Sequence, residues 1–205
     1  MRFAPGGRRY ALLTGLLAVL GVFVSAWITV ALTLVTGFVL WFFRDPDRTP
    51  PPAGYVSPAD GRVSVVREDD DRVRVGVFMS PFDVHVNRSP VAGTVQSIRH
   101  TSGTHRPAFS KDSERNERVH VHVRTDEPAA DGAVTTVVLI AGAFARRITP
   151  YLEEHDRVDR GDRIGHIAFG SRADVLFPPA VRMEDLRVAE GDTVRAGETV
   201  LADAA

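Results

Sequence analysis

Asp156-Arg157-Val158-Asp159-Arg160-Gly161-Asp162-Arg163-Ile164 is echoed near the C-terminus by Asp192-Thr193-Val194-Arg195-Ala196-Gly197-Glu198-Thr199-Val200. Both have the form D-x-V-x-x-G-[DE]-x-[VI], in which a glycine serves a tight turn between two strands. A second pair of words is related in the same way: Ser57-Pro58-Ala59-Asp60-Gly61-Arg62-Val63 and Ser89-Pro90-Val91-Ala92-Gly93-Thr94-Val95. Two duplicated turn words predict a pseudo-symmetric β fold. The segments around them agree, because residues 62–67, 72–78, 93–98, 119–123, 135–140 and 163–169 are short alternating runs punctuated by Gly, Pro and Asp. Helix is expected nowhere else beyond the N-terminus, except for a turn or two over Arg146–Glu154.

Turn words of this kind are common in lipoyl- and biotinyl-type β-sandwiches. The expected fold is therefore mostly β, a lipoyl/biotinyl-like pseudo-symmetric sandwich over residues 55–205. In front of it, Ala11 to Phe43 runs for 33 residues without a charge. One straight helix of that length would be ~50 Å long against a hydrocarbon core of ~30 Å. Two short helices with a break near Gly21 to Trp27 fit better, so residues 1–43 are expected to form a transmembrane helical hairpin. Arg8 and Arg9 precede the run and Arg44 and Arg48 follow it. Arginine-rich flanks favour the cytoplasm, which places the folded domain on the inner side of the cell membrane. Residues 44–54, with Pro50-Pro51-Pro52, read as a stiff extended linker.

Composition narrows the chemistry. There is no cysteine, which excludes disulfides, thiol nucleophiles and Cys-type metal sites. Lys111 is the single lysine, so a pyridoxal phosphate enzyme would have to use it as its Schiff base. His120 and His122 form a His-x-His word, but no third ligand stands at a persuasive spacing, and no metal is expected.

The chemical reading centres on Phe169-Gly170-Ser171-Arg172. A Gly-Ser pair between strands is ordinarily a turn. It also places a hydroxyl beside a small, unshielded carbonyl. Ser171 Oγ could add to the Gly170 carbonyl, move the acyl group from nitrogen to oxygen and leave an ester that β-eliminates. The products would be a chain break and a pyruvoyl group on residue 171.

Five motifs occur in order: Ser57-Pro58-Ala59-Asp60-Gly61-Arg62-Val63, Asp83-Val84-His85-Val86-Asn87-Arg88-Ser89-Pro90-Val91-Ala92-Gly93, Glu114-Arg115-Asn116-Glu117, Ile140-Ala141-Gly142-Ala143-Phe144-Ala145-Arg146-Arg147-Ile148, and Phe169-Gly170-Ser171-Arg172. Together they resemble the short form of the phosphatidylserine decarboxylase family, whose archaeal members are called archaetidylserine decarboxylases. The resemblance runs from about Phe42 to Ala202. It implies a proenzyme that cuts itself between Gly170 and Ser171 into chains 1–170 and 171–205, which stay associated. It implies a pyruvoyl group made from Ser171 as sole cofactor, and a serine lipid of the bilayer as substrate, converted to the ethanolamine lipid and CO2. It likens Asp60 to the aspartate that orients self-cleavage and His85 to the first histidine of the family's His-x-x-His-x-Pro word. The second histidine is replaced by Arg88, which stays protonated and cannot act as a base. Arg88 suits a phosphate or carboxylate clamp, and Arg115 and Asn116 fall on a loop expected to meet substrate. A homo-oligomer is compatible with this reading, and nucleic acid is not an expected partner. Two rivals carry other chemistry: a non-catalytic membrane-anchored lipoyl-like adaptor, which needs a lysine at a hairpin tip, and a serine peptidase pairing Ser171 with Lys111.

Overall fold

The computed structural model describes residues 2–103, 116–126, 132–142, 148–167 and 171–203. The chain divides into two compact units, residues 1–47 and 48–205.

The first unit holds β1 (Arg2–Phe3), α1 (Gly7–Gly21), α2 (Ala26–Phe42) and β2 (Arg44–Asp45), with β1 and β2 paired antiparallel. The break between the helices falls inside the expected window, and Ser25 caps α2 by accepting a hydrogen bond from the Trp27 N–H at 3.3 Å. The expected membrane span is not matched. The helices have 15 and 17 residues, or ~22 and ~26 Å at 1.5 Å per residue. Among the described residues no helix is long and apolar enough to cross a membrane.

The second unit is mostly β. Its strands are β3 (Tyr55–Val56), β4 (Gly61–Asp69), β5 (Arg72–Met79), β6 (Val86–Arg88), β7 (Gly93–Thr101), β8 (Arg118–Thr125), β9 (Val134–Ile140), β10 (Ile148–Pro150), β11 (Arg157–Val158), β12 (Arg163–Ile167), β13 (Ser171–Leu176), β14 (Thr193–Val194) and β15 (Val200–Ala202). Eight of them form one antiparallel sheet in the order β11-β7-β8-β9-β13-β5-β4-β14, with smaller sheets β10-β12-β6 and β15-β3. Alternation sets the layers. Val73, Val75, Val77 and Met79 of β5, Val119, Val121 and Val123 of β8, Val137 and Leu139 of β9, and Ala173 and Val175 of β13 all turn to one face. There they pack with Tyr55, Ile148, Ile164, Ile167 and Leu201 from the small sheets. Each such valine contributes ~1.5–3 kcal/mol by leaving water, set against the entropy of ordering the chain.

The duplicated words occupy equivalent places. Ser57 and Ser89 each donate from Oγ to the carbonyl two residues on, at 2.7 Å in both cases. Gly197 N–H donates to Ser57 O and Gly161 N–H to Ser89 O, both at 2.8 Å. Val63 N–H reaches Asp192 O and Val95 N–H reaches Asp156 O, both at 2.9 Å. Gly161 and Gly197 have φ of 82° and 73°, the left-handed region where a side chain is strained. The strand order is accordingly the same read from either end: β11, β7, β8 and β9 correspond to β14, β4, β5 and β13.

The expected helical turns over Arg146–Glu154 are replaced, in the described part, by β10 and a turn. Ile148 and Thr149 are β-branched and pair with Ile167 and His166, and Pro150 cannot continue a helix. Arg146 and Arg147 lie outside the described residues.

Candidate active site

Ser171 opens β13 on the inner face, in line with Ala173 and Val175, and is fully buried. It stands opposite Met79 of β5. On the other side β13 pairs with β9, Arg172 facing Ile140, so that Ala141 lies next to Ser171. The serine is thus the last inward position of a strand held on both edges. Its hydroxyl lies 3.9 Å from Met79 Sδ, a weak acceptor.

The small sheet brings the second group. Asn87 of β6 directs Nδ2 to the same Met79 sulfur at 3.7 Å and to Pro58 O at 3.4 Å. Among the described residues its Oδ1, although buried, has no hydrogen-bond partner. His85, two positions earlier, is 3% exposed. Its Nδ1 lies 2.9 Å from Asp83 O. A carbonyl only accepts, so Nδ1 carries the proton, and in the neutral ring the lone pair is on Nε2. Ile167 N–H donates to His85 O at 3.3 Å. Four residues later comes Ser171, at most ~15 Å from Ile167 between Cα atoms.

Asp60 and Arg88 make their hydrogen bonds to other groups. Asp60 Oδ1 accepts from Ala196 N–H at 2.8 Å and Oδ2 from Arg48 Nη2 at 2.7 Å. Arg48 also reaches Glu198 at 2.9 Å. Burial pushes the Asp60 carboxyl upward, the Ala196 N–H and the Arg48 charge counter it, and the nearby Asp83 charge adds to the upward push. None of the hydrogen bonds found for Asp60 among the described residues goes to His85 or Ser171. Arg88 turns to the opposite side of β6 from Asn87, where it is 4% exposed and Nη1 donates to Gly161 O at 2.8 Å. Its methylenes lie against Gly197. The contacts therefore join Ser171, Met79 and Asn87, with His85 two residues before Asn87 and bonded to Asp83, while Asp60 accepts from Ala196 and Arg48 and Arg88 donates to Gly161.

Asn116 is buried and donates from Nδ2 to Ala141 O at 2.8 Å, one strand from Ser171. It therefore braces the strand end beside the serine. Gly170, Arg115 and Lys111 lie outside the described residues.

Met79, Asn87 and Arg48 belong to this arrangement and were not singled out from the sequence. Asn87 was legible in principle, since it stands two residues from His85 in an alternating segment. Met79 and Arg48 carry no local signal, because the register of β5 against β13 and the fold of the linker decide their roles. Chemically, the site offers a desolvated hydroxyl, a histidine of defined tautomer and an amide with spare capacity.

Comparison with known proteins gives the family. Residues 35–202 match the profile of phosphatidylserine decarboxylase. A Halobacterium salinarum protein named as an archaetidylserine decarboxylase proenzyme is 60% identical over 179 residues, covering 87% of this chain and 86% of its own. The phosphatidylserine decarboxylase proenzyme of Streptomyces griseus is 47% identical over 176 residues, covering 84% and 78%. That of Thermobifida fusca is 51% identical over 162 residues, covering 78% and 71%. With a burial-protected serine at the head of β13 and matches that span nearly the whole folded unit, the chain belongs to the phosphatidylserine decarboxylase family.

Proposed function

We propose that the chain is a self-processing decarboxylase of a serine lipid, cut between Gly170 and Ser171, with its reactive group on residue 171. One observation carries this. Ser171 begins a strand hydrogen-bonded on both edges, so a break just before it leaves the new terminus fixed in the inner layer. Self-cleavage starts when Ser171 Oγ adds to the Gly170 carbonyl and the acyl group passes to oxygen. The Ser171 α-proton then leaves with the Gly170 carboxylate, giving dehydroalanine. Its imine form takes up water and releases ammonia, which makes the pyruvoyl group. His85 Nε2 is the base we assign to the Ser171 protons.

When present, the pyruvoyl ketone supplies an electron-withdrawing partner for the substrate amine, the task pyridoxal phosphate performs elsewhere. The chain's own residues do the rest. The inner layer excludes water, Asn87 offers its free carbonyl oxygen to a bound amine or N–H, and protonated His85 can return a proton to the carbon that lost CO2. The ethanolamine lipid is the product. One relative is named for an archaetidyl substrate and others for phosphatidyl, and the site acts on the head group that the two share.

The helical hairpin gives the enzyme its place. Leu12, Phe23, Val24 and Trp27 are more than 70% exposed, a surface that suits lipid. The hydroxyls of Thr14, Thr29, Thr33 and Thr36 donate to carbonyls one turn back, which satisfies them without water. We read α1 and α2 as embedded from one side, with Arg8, Arg9 and Arg44 at the cytoplasmic surface of the cell membrane. The packing of the large sheet against the two small ones is read as a lipoyl/biotinyl-like sandwich, supported by the turn words at equivalent places.

Intact mass tests the cleavage. Purified protein should give a fragment of residues 171–205 with a blocked keto terminus, and Ser171→Ala should remain full length. His85→Gln should slow cleavage by ~10²-fold or more, the usual loss for a positioned base. Reduction with cyanoborohydride in the presence of serine lipid should trap an adduct on residue 171. A fully active, unbroken chain would end this reading.

A further inference from the structure

The two halves of the large sheet differ at one turn that the chemistry above does not use. His155 N–H donates to Val95 O at 2.8 Å, as Gly191 N–H donates to Val63 O at 2.9 Å. Both residues have positive φ, 75° at His155 and 95° at Gly191. Glycine takes that conformation freely, whereas the histidine is held there against the clash of its own Cβ. A side chain kept at a strained position, where the twin turn manages without one, points to a use for its ring.

His155 lines a cavity of about 480 Å³ with Thr94, Val95, Gln96 and Arg124. Thr94 and Arg124 stand opposite one another on β7 and β8, and Gln96 occupies the bulge between Val95 and Ser97. With the Gln96 amide oriented so that Oε1 faces the guanidinium, that oxygen accepts from Arg124 Nε and Nη2, both at 2.6 Å. Gln96 thus fixes the plane of the guanidinium without neutralising it. Arg124 and His155 are exposed. Among the described residues no hydrogen bond is found for the His155 ring or the Thr94 hydroxyl, and no carboxylate lines the cavity. The acids of the neighbouring segments are engaged: Asp156 Oδ2 accepts from Glu153 N–H at 2.8 Å, Glu154 Oε1 from Ile98 N–H at 3.3 Å, and Asp126 pairs with Arg157 at 2.7 Å. The equivalent cavity in the other half contains Asp83, and has Phe78 where this one has Arg124.

We propose that the cavity between Thr94, Arg124 and His155 is an oxyanion site that takes a phosphate group. Arg124 supplies charge and N–H donors, Thr94 a hydroxyl and His155 a ring N–H, donors that the oxygens of one phosphate can accept from together. The site is separate from that of Ser171. Ala141, beside the serine, donates its N–H to Glu117 O at 3.0 Å, and Arg124 lies at the far end of β8 from Glu117, ~20 Å away at ~3.3 Å per residue. A lipid head group and free phosphate share this chemistry.

The test uses the full chain in nanodiscs of a phosphate-free galactolipid, with histidines isotope-labelled at Cε1 for NMR and the His155 signal assigned by its loss in His155→Gly. Inorganic phosphate, exchanged for chloride at constant ionic strength and neutral pH, should move that signal along a saturating curve with half-saturation at about 1 mM. Arg124→Gln should raise the half-saturation about tenfold or more, while melting and self-cleaving as the native chain does. His155→Gly, which copies Gly191, should melt at or above the native temperature and broaden the phosphorus signal of phosphate less than the native chain does. No shift, or a shift that grows linearly with phosphate, overturns the proposal. So does a saturating curve that Arg124→Gln leaves in place. Nanodiscs of phosphatidylglycerol without free phosphate distinguish the sources. A His155 signal already at its saturated position there upholds the site and assigns it to a lipid head group, and a signal at the phosphate-free position upholds it for soluble phosphate. None of these readouts needs turnover, so the result stands apart from the decarboxylase reading.

Discussion

Strand β13 begins opposite Met79 of β5, and in the matching half of the molecule Ala133 stands opposite Thr125 of β8, its carbonyl accepting from Thr125 N–H at 2.8 Å. The sequence at these two places reads Gly170-Ser171 and Gly132-Ala133. The same backbone arrangement has thus been built twice, and one copy lacks the hydroxyl. The rest of the surroundings differ as well. Asn87, two residues before Ser89, corresponds to Tyr55, two residues before Ser57, and Arg88 corresponds to Val56. Asp60 corresponds to Ala92 and Ala196 to Arg160. A duplicated frame supplies rigidity, and reactivity comes from side chains that break the duplication.

The largest expected effect tests whether the frame alone is enough. Ala133→Ser creates a second Gly-Ser pair at the equivalent place, but without the Asn87 and His85 side of the first. The variant should cut only between residues 170 and 171, and combined with Ser171→Ala it should stay full length on a gel and by mass. A cut before residue 133 would show that strand geometry suffices and that the small-sheet residues are dispensable for the first step.

Arg88 gives the next test, of intermediate size. Arg88→Val copies the residue found in the other half. It removes a charged donor from the buried Gly161 carbonyl, a loss of ~1.5–3 kcal/mol, read as a lower urea midpoint. Folded protein should still cleave and should keep its KM for lipid. A variant as stable as the native chain but with a raised KM would restore Arg88 to the clamp role that its motif suggests.

The unequal legibility of the two halves follows from the same comparison. Turn words, alternation and the break in the apolar run are local, so β4, β5, β7, β8, β9 and the two-helix hairpin could be read along the chain. Ser171 was readable because a hydroxyl next to glycine has a chemical meaning by itself. Met79 became part of the site through the pairing of β5 with β13, which joins residues far apart in sequence, and no local pattern encodes that. Arg48 sits in a stretch that reads as a spacer, and its tie to Asp60 and Glu198 exists only once β14 and β15 have folded back onto the linker. The partners of Asp60 were hidden for a similar reason: the turn word that contains it is a structural word first, and its carboxylate accepts from Ala196 and Arg48, which only the fold brings to it.

The smallest effect concerns a position where one half is permanently charged and the other titrates. Just past the bulge in each half, His122 faces Ser97 and Gly76 faces Val65, so two residues back His120 corresponds to Arg74. Burial lowers the His120 pKa to about 4, and the charges of Arg118, His122, Arg74 and Arg99 add to the effect. His122 is lowered too, by burial and by Arg99 and Arg72. In the unfolded chain a histidine takes its proton near ~6.5. Above that pH neither state binds the proton, and His120 adds no pH dependence. Between ~6.5 and about 4 the unfolded state binds a proton that the folded state refuses, so stability falls as pH falls through this window. His120 is half-exposed, and solvent screening reduces the slope. His120→Asn should therefore melt with the native protein at pH 7.5 and about a degree or two above it at pH 5, His122 leaving part of the slope in place. Identical melting of the two proteins at both pH values would show that the charges around His120 do not reach it, and that the two halves answer acid alike.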